Sequence, residues 1–208
     1  MDYVKKPMDI EVKSFEIIGE EMGPHNFTER ELKIIKRVIH TTADFEYKDI
    51  TYIREGAIDA ALVALKKGTT IYTDTKMALS GINKKALEQL NCNVKCYVSD
   101  EEVAKEAKER AVTRSIVGVE KAVKDGVKIF VFGNAPTALF RLKELMEEGV
   151  AKPEFVVAAP IGFVGAAESK EEFEKMTVPM ISIRGRKGGS GVAASIINAL
   201  MYMVVKRD

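Results

Sequence analysis

Two side chains in the run KRVIHTTADF pair a positive charge with a group that can exchange protons. Arg37 and His40 lie three residues apart, and residues at that spacing share one face of a helix. Histidine is the side chain whose ordinary pKa suits proton transfer near neutral pH, and the chain has only two. The pair therefore suits general acid–base chemistry on an anionic substrate. The structural alternative is that His40 favours the C-terminal end of a helix through its charge.

A helix has to hold these two side chains, and the surrounding residues predict one that begins near Asn26. Thr28 and Glu31 form a capping box at its start, in which each side chain would bind the other residue's backbone N–H. The apolar residues that recur at helical spacing are Leu32, Ile34, Ile35, Val38 and Ile39. The helix would end in a loop that contains two threonines, of which Thr42 is a candidate ligand contact.

The rest of the chain alternates short apolar segments with longer helical patterns. The predicted strands are Thr70–Thr73, Val94–Val98, Lys128–Phe132, Phe155–Ala159 and Pro179–Ile183. The predicted helices are Glu55–Lys67, Lys84–Leu90, Asp100–Arg110 with Ser99 and Glu102 as a capping box, Ser115–Lys124, Thr137–Glu148, Lys170–Lys175 and Val192–Val205. This alternation is typical of βαβ units. We therefore predict a single α/β domain over residues 1–208, with a mostly parallel sheet of about five strands and helices on both faces.

The segment before Thr70 departs from this alternation. It predicts an N-terminal helical arm with a possible extended piece at Phe45–Ile53. Such a segment suits a lid, an edge addition to the sheet, or an arm that contacts a partner.

Three predicted strands are followed by unusual loops, and ligands of open parallel sheets bind beyond the carboxyl ends of the strands. In the loop 133–137, Asn134 and Thr137 offer neutral hydrogen bonds, although Asn134 also suits a helix N-cap. The loop 160–168 contains two glycines and two alanines before Glu168. The loop 184–191 places Arg186 and Lys187 among glycines before a helix, which suits an anion. The alternative for this last loop is a surface turn with solvated charges.

Composition and motifs exclude several classes of protein. Lys and Arg number 32 against 31 Asp and Glu, for a net charge of +1, whereas nucleic-acid binders usually carry a basic excess. Neither a P-loop nor a Gly-x-Gly-x-x-Gly motif occurs, so a nucleotide is not indicated. The longest apolar run, Val192–Val205, is shorter than the roughly 20 residues of a membrane span. The first ten residues carry charges and a proline rather than an apolar core, so we expect a cytoplasmic protein.

A metal site is not indicated either. Cys92 and Cys96 are not spaced as zinc ligands, and no nearby histidine completes a site. The carboxylates Asp44, Glu46, Asp74 and Glu168 are scattered along the chain. We therefore expect no metal and no cofactor.

Four motifs, in order, resemble those of the precorrin-8X methylmutase family, also called cobalt-precorrin-8 methylmutase, of cobalamin biosynthesis. They are Arg37–Asp44 (RVIHTTAD), Gly133–Leu139 (GNAPTAL), Gly162–Lys170 (GFVGAAESK) and Gly185–Ser190 (GRKGGS). The similarity extends from about Ser14 to the C-terminus.

This resemblance implies an isomerase that moves a methyl group from C11 to C12 of precorrin-8 or its cobalt form, giving the corresponding byrinate without a cofactor. It implies that His40 is the proton donor and acceptor, and that Ser14 and Arg37 contact the substrate. The substrate would be a flat macrocycle edged with carboxylates. The resemblance further implies a homodimer with its site near the subunit interface.

Further candidate contacts follow from placing that substrate beside the predicted loops. Arg114, at the start of a predicted helix, is a second carboxylate anchor or simply an exposed arginine. The remaining candidates belong to the loops and are Thr42, Asn134, Thr137, Arg186, Lys187, Gly188 and Ser190. Two other functions fit parts of the pattern: a corrinoid carrier without turnover, and a phosphate- or nucleotide-binding domain. An ionisable His40 beside Arg37 favours the enzyme, because a carrier needs no proton donor.

Overall fold

The computed structural model describes residues 5–206 of the chain, which is all of the predicted domain except its first four and last two residues. The helices are α1 (Pro7–Glu21), α2 (Glu29–Thr42), α3 (Tyr47–Ile50), α4 (Ala57–Lys66), α5 (Lys76–Gly81), α6 (Lys84–Gln89), α7 (Glu101–Glu109), α8 (Arg114–Lys124), α9 (Pro136–Glu147), α10 (Ala166–Glu174) and α11 (Ser190–Tyr202). The strands are β1 (Thr51–Ile53), β2 (Thr70–Thr73), β3 (Asn93–Lys95), β4 (Ile129–Phe132), β5 (Phe155–Ala158) and β6 (Met180–Ile183).

The strands form one mixed sheet in the order β1-β6-β5-β4-β2-β3. All neighbouring pairs are parallel except the first, in which Thr51 lies opposite Ile183 in an antiparallel register. The five predicted strands are the parallel part of this sheet. The sixth comes from the segment Phe45–Ile53, so that segment is an edge addition to the sheet.

Alternating side chains of the strands supply two separate cores, one on each face of the sheet. Ile129 and Val131 of β4 belong to the core that also contains residues of α2, α4 and α11. Phe130 and Phe132 belong to the other core, which contains residues of α8, α9 and α10. This period of two is what a strand buried on both faces requires. The predicted helices on both faces are confirmed.

The helix that carries Arg37 and His40 has the predicted start. The side chain of Thr28 accepts a hydrogen bond from the N–H of Glu31, and the Glu31 carboxylate accepts one from the N–H of Thr28. The helix ends where Ala43 adopts the left-handed conformation, with φ of 53°. The predicted N-terminal arm, α1, packs against α2.

The predicted capping box of one helix is wrong, and one short helix was not predicted. The N-cap of α7 is Asp100 rather than Ser99, because the Asp100 carboxylate accepts hydrogen bonds from the N–H groups of Glu102 and Val103, at 3.0 and 3.4 Å. The short helix α5 was not predicted, since it is only six residues long. Across residues 5–206, no helix is both long enough and apolar enough to span a bilayer.

Candidate active site

The loops that follow β2, β4, β5 and β6 meet at the carboxyl edge of the parallel strands. Asp74, directly after β2, is 2% exposed. Its carboxylate accepts hydrogen bonds from the N–H groups of Gly133, Asn134 and Ala135, at 2.8, 2.8 and 2.7 Å. Burial raises the pKa of Asp74, and the three amides act against that rise. Sequence reasoning counted Asp74 among scattered carboxylates, although its place at the end of a strand was a usable signal.

The buried Asp74 carboxylate therefore fixes the backbone of the loop after β4. The two candidate ligand contacts of this loop, Asn134 and Thr137, have exposed side chains. Asn134 is exposed and does not cap α9, whose N-cap is Ala135 without a side-chain hydrogen bond. The N-cap prediction for Asn134 is wrong because Asp74 already binds the amides of this loop. The Oγ1 atom of Thr137 lies 3.0 Å from that of Thr113, the N-cap of α8. Arg114 follows it as the first residue of α8, and it is exposed.

The glycine-rich loop after β6 packs tightly against the loop after β4. Ser190 begins α11, and its Oγ lies 2.7 Å from Oγ1 of Thr75. A Cβ atom on Gly133 would come within 2.6 Å of the Ser190 Cα. These contacts fix the first turn of α11 against the loops that follow β2 and β4.

A buried lysine joins the glycine-rich loop to the loop after β5. Lys170 of α10 is 0% exposed. Its Nζ donates hydrogen bonds to the backbone carbonyls of Pro160 and Lys187, each at 2.8 Å. Burial lowers the pKa of Lys170 from 10.5 to about 8. Lys170 ends the third of the four motifs, but nothing in the sequence indicates that its side chain is buried.

The side chain of Lys187 connects the glycine-rich loop to the segment that follows His40. Its ammonium binds the carboxylates of Asp44 and Glu46, and it lies 5.8 Å from the Tyr47 ring. The pKa of Lys187 is raised by these carboxylates, and that of Asp44 is lowered by the ammonium. Arg186, in contrast, is exposed, with its guanidinium 5.5 Å from the Phe163 ring.

His40 and Arg37 share a cavity of about 270 Å³ between α2 and α11. The His40 ring meets the Phe15 ring edge-on, with 5.3 Å between the centroids. Nη2 of Arg37 donates to the Glu11 carboxylate at 2.7 Å, and its guanidinium lies over the rings of Phe15 and Tyr202. The predicted shared face is confirmed, and α1 supplies the surroundings that the sequence did not reveal.

Ser14 and Thr42 make hydrogen bonds within their own segments. Oγ of Ser14 donates to the carbonyl of Ile10 at 2.8 Å. Oγ1 of Thr42 donates to the carbonyl of Val38 at 2.9 Å and accepts from the N–H of Asp44 at 3.3 Å. Both hydroxyls retain an unused lone pair for a ligand.

Of the predicted site residues, two line the cavity between α2 and α11, namely Arg37 and His40. The cavity around His40 includes Arg37 and Gly191 at the start of α11, next to Ser190 and the glycine-rich loop. Arg114 and Thr137 lie instead at the starts of α8 and α9, and neither lines that cavity. Within residues 5–206, no group of three or more His, Cys, Asp or Glu side chains is arranged to hold a metal ion.

Comparison with known proteins gives consistent results. The family model for precorrin-8X methylmutase matches residues 9–203. The cobalt-precorrin-8 methylmutase of Salmonella typhimurium is 47% identical over 209 residues, which covers 97% of this chain and 98% of the relative. That of Leptospira interrogans is 44% identical, over 96% of this chain and 94% of the relative. The crystal structure of precorrin-8x methyl mutase from Thermus thermophilus superimposes with a TM-score of 0.89 at 38% identity, covering 94% of this chain and 95% of the other.

Proposed function

The chain belongs to the precorrin-8X methylmutase family, and from this premise we propose that it moves a methyl group from C11 to C12 of a precorrin-8 macrocycle. The reaction is an isomerisation: the bond from the methyl group to C11 breaks, a bond to C12 forms, and the atoms of substrate and product are the same. The observation that carries the proposal is the position of His40, the residue in the family motif, in an open cavity beside Arg37.

His40 acts in this proposal as a reversible proton donor. Protonation of the conjugated ring by the imidazolium draws electron density toward the ring and lowers the barrier to methyl migration. The proton returns to His40 once the methyl group has moved, so no net proton is consumed. General acid catalysis of this kind typically contributes about 10²–10⁴-fold to a rate.

Arg37 holds the macrocycle in register with the imidazole. A guanidinium has five N–H donors, and the bond to Glu11 uses one of them. The remaining donors are available to a carboxylate at the edge of the substrate. The rings of Phe15 and Tyr202 fix the plane of the guanidinium, so that the bound carboxylate has a defined direction.

The cobalt form is the proposed substrate, because the Salmonella and Leptospira relatives are named cobalt-precorrin-8 methylmutases. The cobalt would belong to the macrocycle rather than to a protein site. A cytoplasmic location agrees with this place in biosynthesis.

We also propose a homodimer, in which α1 lies against the second subunit. Four large apolar side chains of α1 are exposed: Met8, Ile10, Val12 and Ile17. The same helix carries Glu11 and Phe15, which contact Arg37 and His40, so the interface would lie next to the site. Sedimentation velocity tests this: Ile17→Glu should convert the dimer to a monomer, and a monomeric wild type contradicts it.

The function is tested by following the absorbance of precorrin-8 and cobalt-precorrin-8 in the presence of the enzyme. We expect conversion by the wild type, faster with the cobalt form, and a rate about 10²–10⁴-fold lower for His40→Ala. His25→Ala is the matched control, since His25 is the other histidine and stacks on Phe27 instead. Near-normal turnover by His40→Ala would contradict the catalytic role. Binding of either macrocycle without conversion by the wild type would instead identify a carrier.

A further inference from the structure

Lys170 is a buried charge that the proposed reaction does not use. Its ammonium forms no ion pair with any carboxylate in the described part of the chain, and its hydrogen bonds go to two carbonyl groups. These carbonyls belong to different loops, one after β5 and one after β6. Since an ammonium is costly to bury without a counter-charge, its position calls for an explanation beyond packing.

The effect of the lysine on its two loops follows from the geometry of the peptide bond. Residues 5–206 contain no cis peptide bond, so each C=O in this part of the chain and the following N–H point in opposite directions. Because the carbonyls of Pro160 and Lys187 point at the ammonium, the N–H groups of Ile161 and Gly188 point away from it.

Two flanking hydrogen bonds keep the loops side by side. The N–H of Gly189 binds the carbonyl of Ala159 at 2.9 Å, and the N–H of Gly162 binds that of Arg186 at 3.2 Å. Between these bonds the two segments run next to each other, with Lys170 on one side of both. The N–H groups of Ile161 and Gly188 therefore share the opposite side.

Neither of these N–H groups has a hydrogen-bond partner among residues 5–206. Gly188 is buried, and a buried backbone N–H without a partner is rare in proteins. Its backbone, with φ of 151°, lies so close to the other loop that a Cβ atom would come within 2.3 Å of the Ala159 carbonyl oxygen. The exposed guanidinium of Arg186 adds positive charge next to this pair.

We propose that Lys170 is a positioning residue which turns the amides of Ile161 and Gly188 outward, where they bind a carboxylate at the edge of the macrocycle. This inference rests on the proposed function, because it takes the corrinoid as the ligand. Lys187, which the sequence suggested as an anchor, instead holds Asp44 and Glu46. The donors on this side of the site are thus backbone amides and Arg186.

The N–H of Ile161 can be removed without touching the core, because the side chain is 47% exposed. Ile161→Pro removes both the apolar side chain and the N–H, whereas Ile161→Ala removes only the side chain. We expect the dissociation constant of the corrinoid product, measured by absorbance titration, to be at least about 10-fold higher for Ile161→Pro than for Ile161→Ala. Equal dissociation constants in two folded variants would overturn the proposal.

The role of the lysine is tested by Lys170→Met, with Lys143→Met as the control. Lys143 is a lysine of α9 that binds Glu147 at 2.7 Å. For folded Lys170→Met we expect KM and the product dissociation constant to rise about 10-fold or more, with a smaller change in kcat. A purely structural lysine would lower Tm and leave the dissociation constant of the folded protein unchanged, and that result would contradict the proposal.

A measurement on the wild type tests whether the two amides bind a carboxylate, even if these variants do not fold. In ¹H–¹⁵N spectra, the amide signals of Ile161 and Gly188 should shift downfield when the corrinoid product is added. Binding without a change at these two amides would overturn the carboxylate site and leave the proposed function intact. A wild type that neither binds nor converts the macrocycle would contradict the proposed function itself.

Discussion

Two buried charges of opposite sign organise the two halves of the same sheet edge. On the side of β2 and β4, the Asp74 carboxylate binds three backbone N–H groups. On the side of β5 and β6, the Lys170 ammonium binds two backbone carbonyls. Both side chains are almost completely buried, and both act on loops rather than on other side chains.

The difference between them decides which backbone groups each half offers to a ligand. Asp74 draws N–H groups inward, so the carbonyls of Gly133 and Asn134 point outward. Lys170 draws carbonyls inward, so N–H groups point outward. One half of the edge therefore presents acceptors and the other presents donors, and we expect substrate carboxylates on the Lys170 side.

Asp74→Asn should disrupt the half of the sheet edge that presents carbonyl acceptors, and it should lower the free energy of unfolding more than the other variants. The asparagine amide would bring a donor among three N–H groups that need acceptors, at a cost of about 4–6 kcal/mol in the free energy of unfolding. Urea denaturation measures this cost. Asp100→Asn is the control, because Asp100 also accepts two backbone N–H groups but caps a helix, where asparagine serves equally well. Similar losses for the two variants would contradict the role given to Asp74.

Replacing one glycine in each half of the sheet edge by alanine compares how tightly the two halves are packed. Gly188→Ala would place a Cβ within 2.3 Å of a backbone oxygen at a φ of 151°. We expect this change to lower the free energy of unfolding by about 2–5 kcal/mol. Gly133→Ala meets the Ser190 Cα at 2.6 Å, without the unfavourable φ, and should lose about 1–3 kcal/mol. Thermal unfolding followed by circular dichroism ranks them. A larger loss for Gly133→Ala would show that the half around Asp74 is the more tightly packed.

The pH dependence of stability should distinguish Lys170 from an ordinary lysine. The unfolded chain holds its proton up to a pKa near 10.5, whereas the folded protein releases it at about 8. The penalty for burying the ammonium is therefore complete below pH 8 and is relieved as the pH rises toward 10.5. Each unit of pKa corresponds to about 1.4 kcal/mol. Over this pH range the free energy of unfolding of the wild type should therefore rise by up to about 3 kcal/mol relative to that of Lys170→Met. Urea denaturation of both proteins at several pH values tests this, and a constant difference would contradict it.

The smallest expected effect is the coupling between Thr75 and Ser190, whose hydroxyls lie 2.7 Å apart. A double-mutant cycle with Thr75→Val and Ser190→Ala should give about 0.5–1.5 kcal/mol, because the bond is partly buried. The exposed pair Thr113 and Thr137, 3.0 Å apart, should give a value close to zero. Equal couplings would mean that burial does not strengthen the contact between α11 and the acceptor half.

The sequence predicted the elements whose signals are local. The capping box of α2, the strand cores of β2 and β4, and the shared face of Arg37 and His40 all follow from residues within a few positions of each other. Asp74 and Lys170 were not singled out, because their importance depends on loops that lie far away in the chain. The carboxylates that bind Arg37 and Lys187 were not predicted for the same reason. Glu11 is 26 residues from Arg37, and Asp44 is 143 residues from Lys187.

The edge strand β1 has a consequence for the order of folding. Thr51 pairs with Ile183, so this contact joins residues about 130 positions apart, and contacts of high contact order form late because a long loop must close first. The same closure brings the segment after His40 to the loop that contains Lys187. During synthesis a chain that ends before Ile183 can therefore carry a complete α2 with its histidine and still lack the site. We therefore expect catalytic activity to appear only in the last stage of folding.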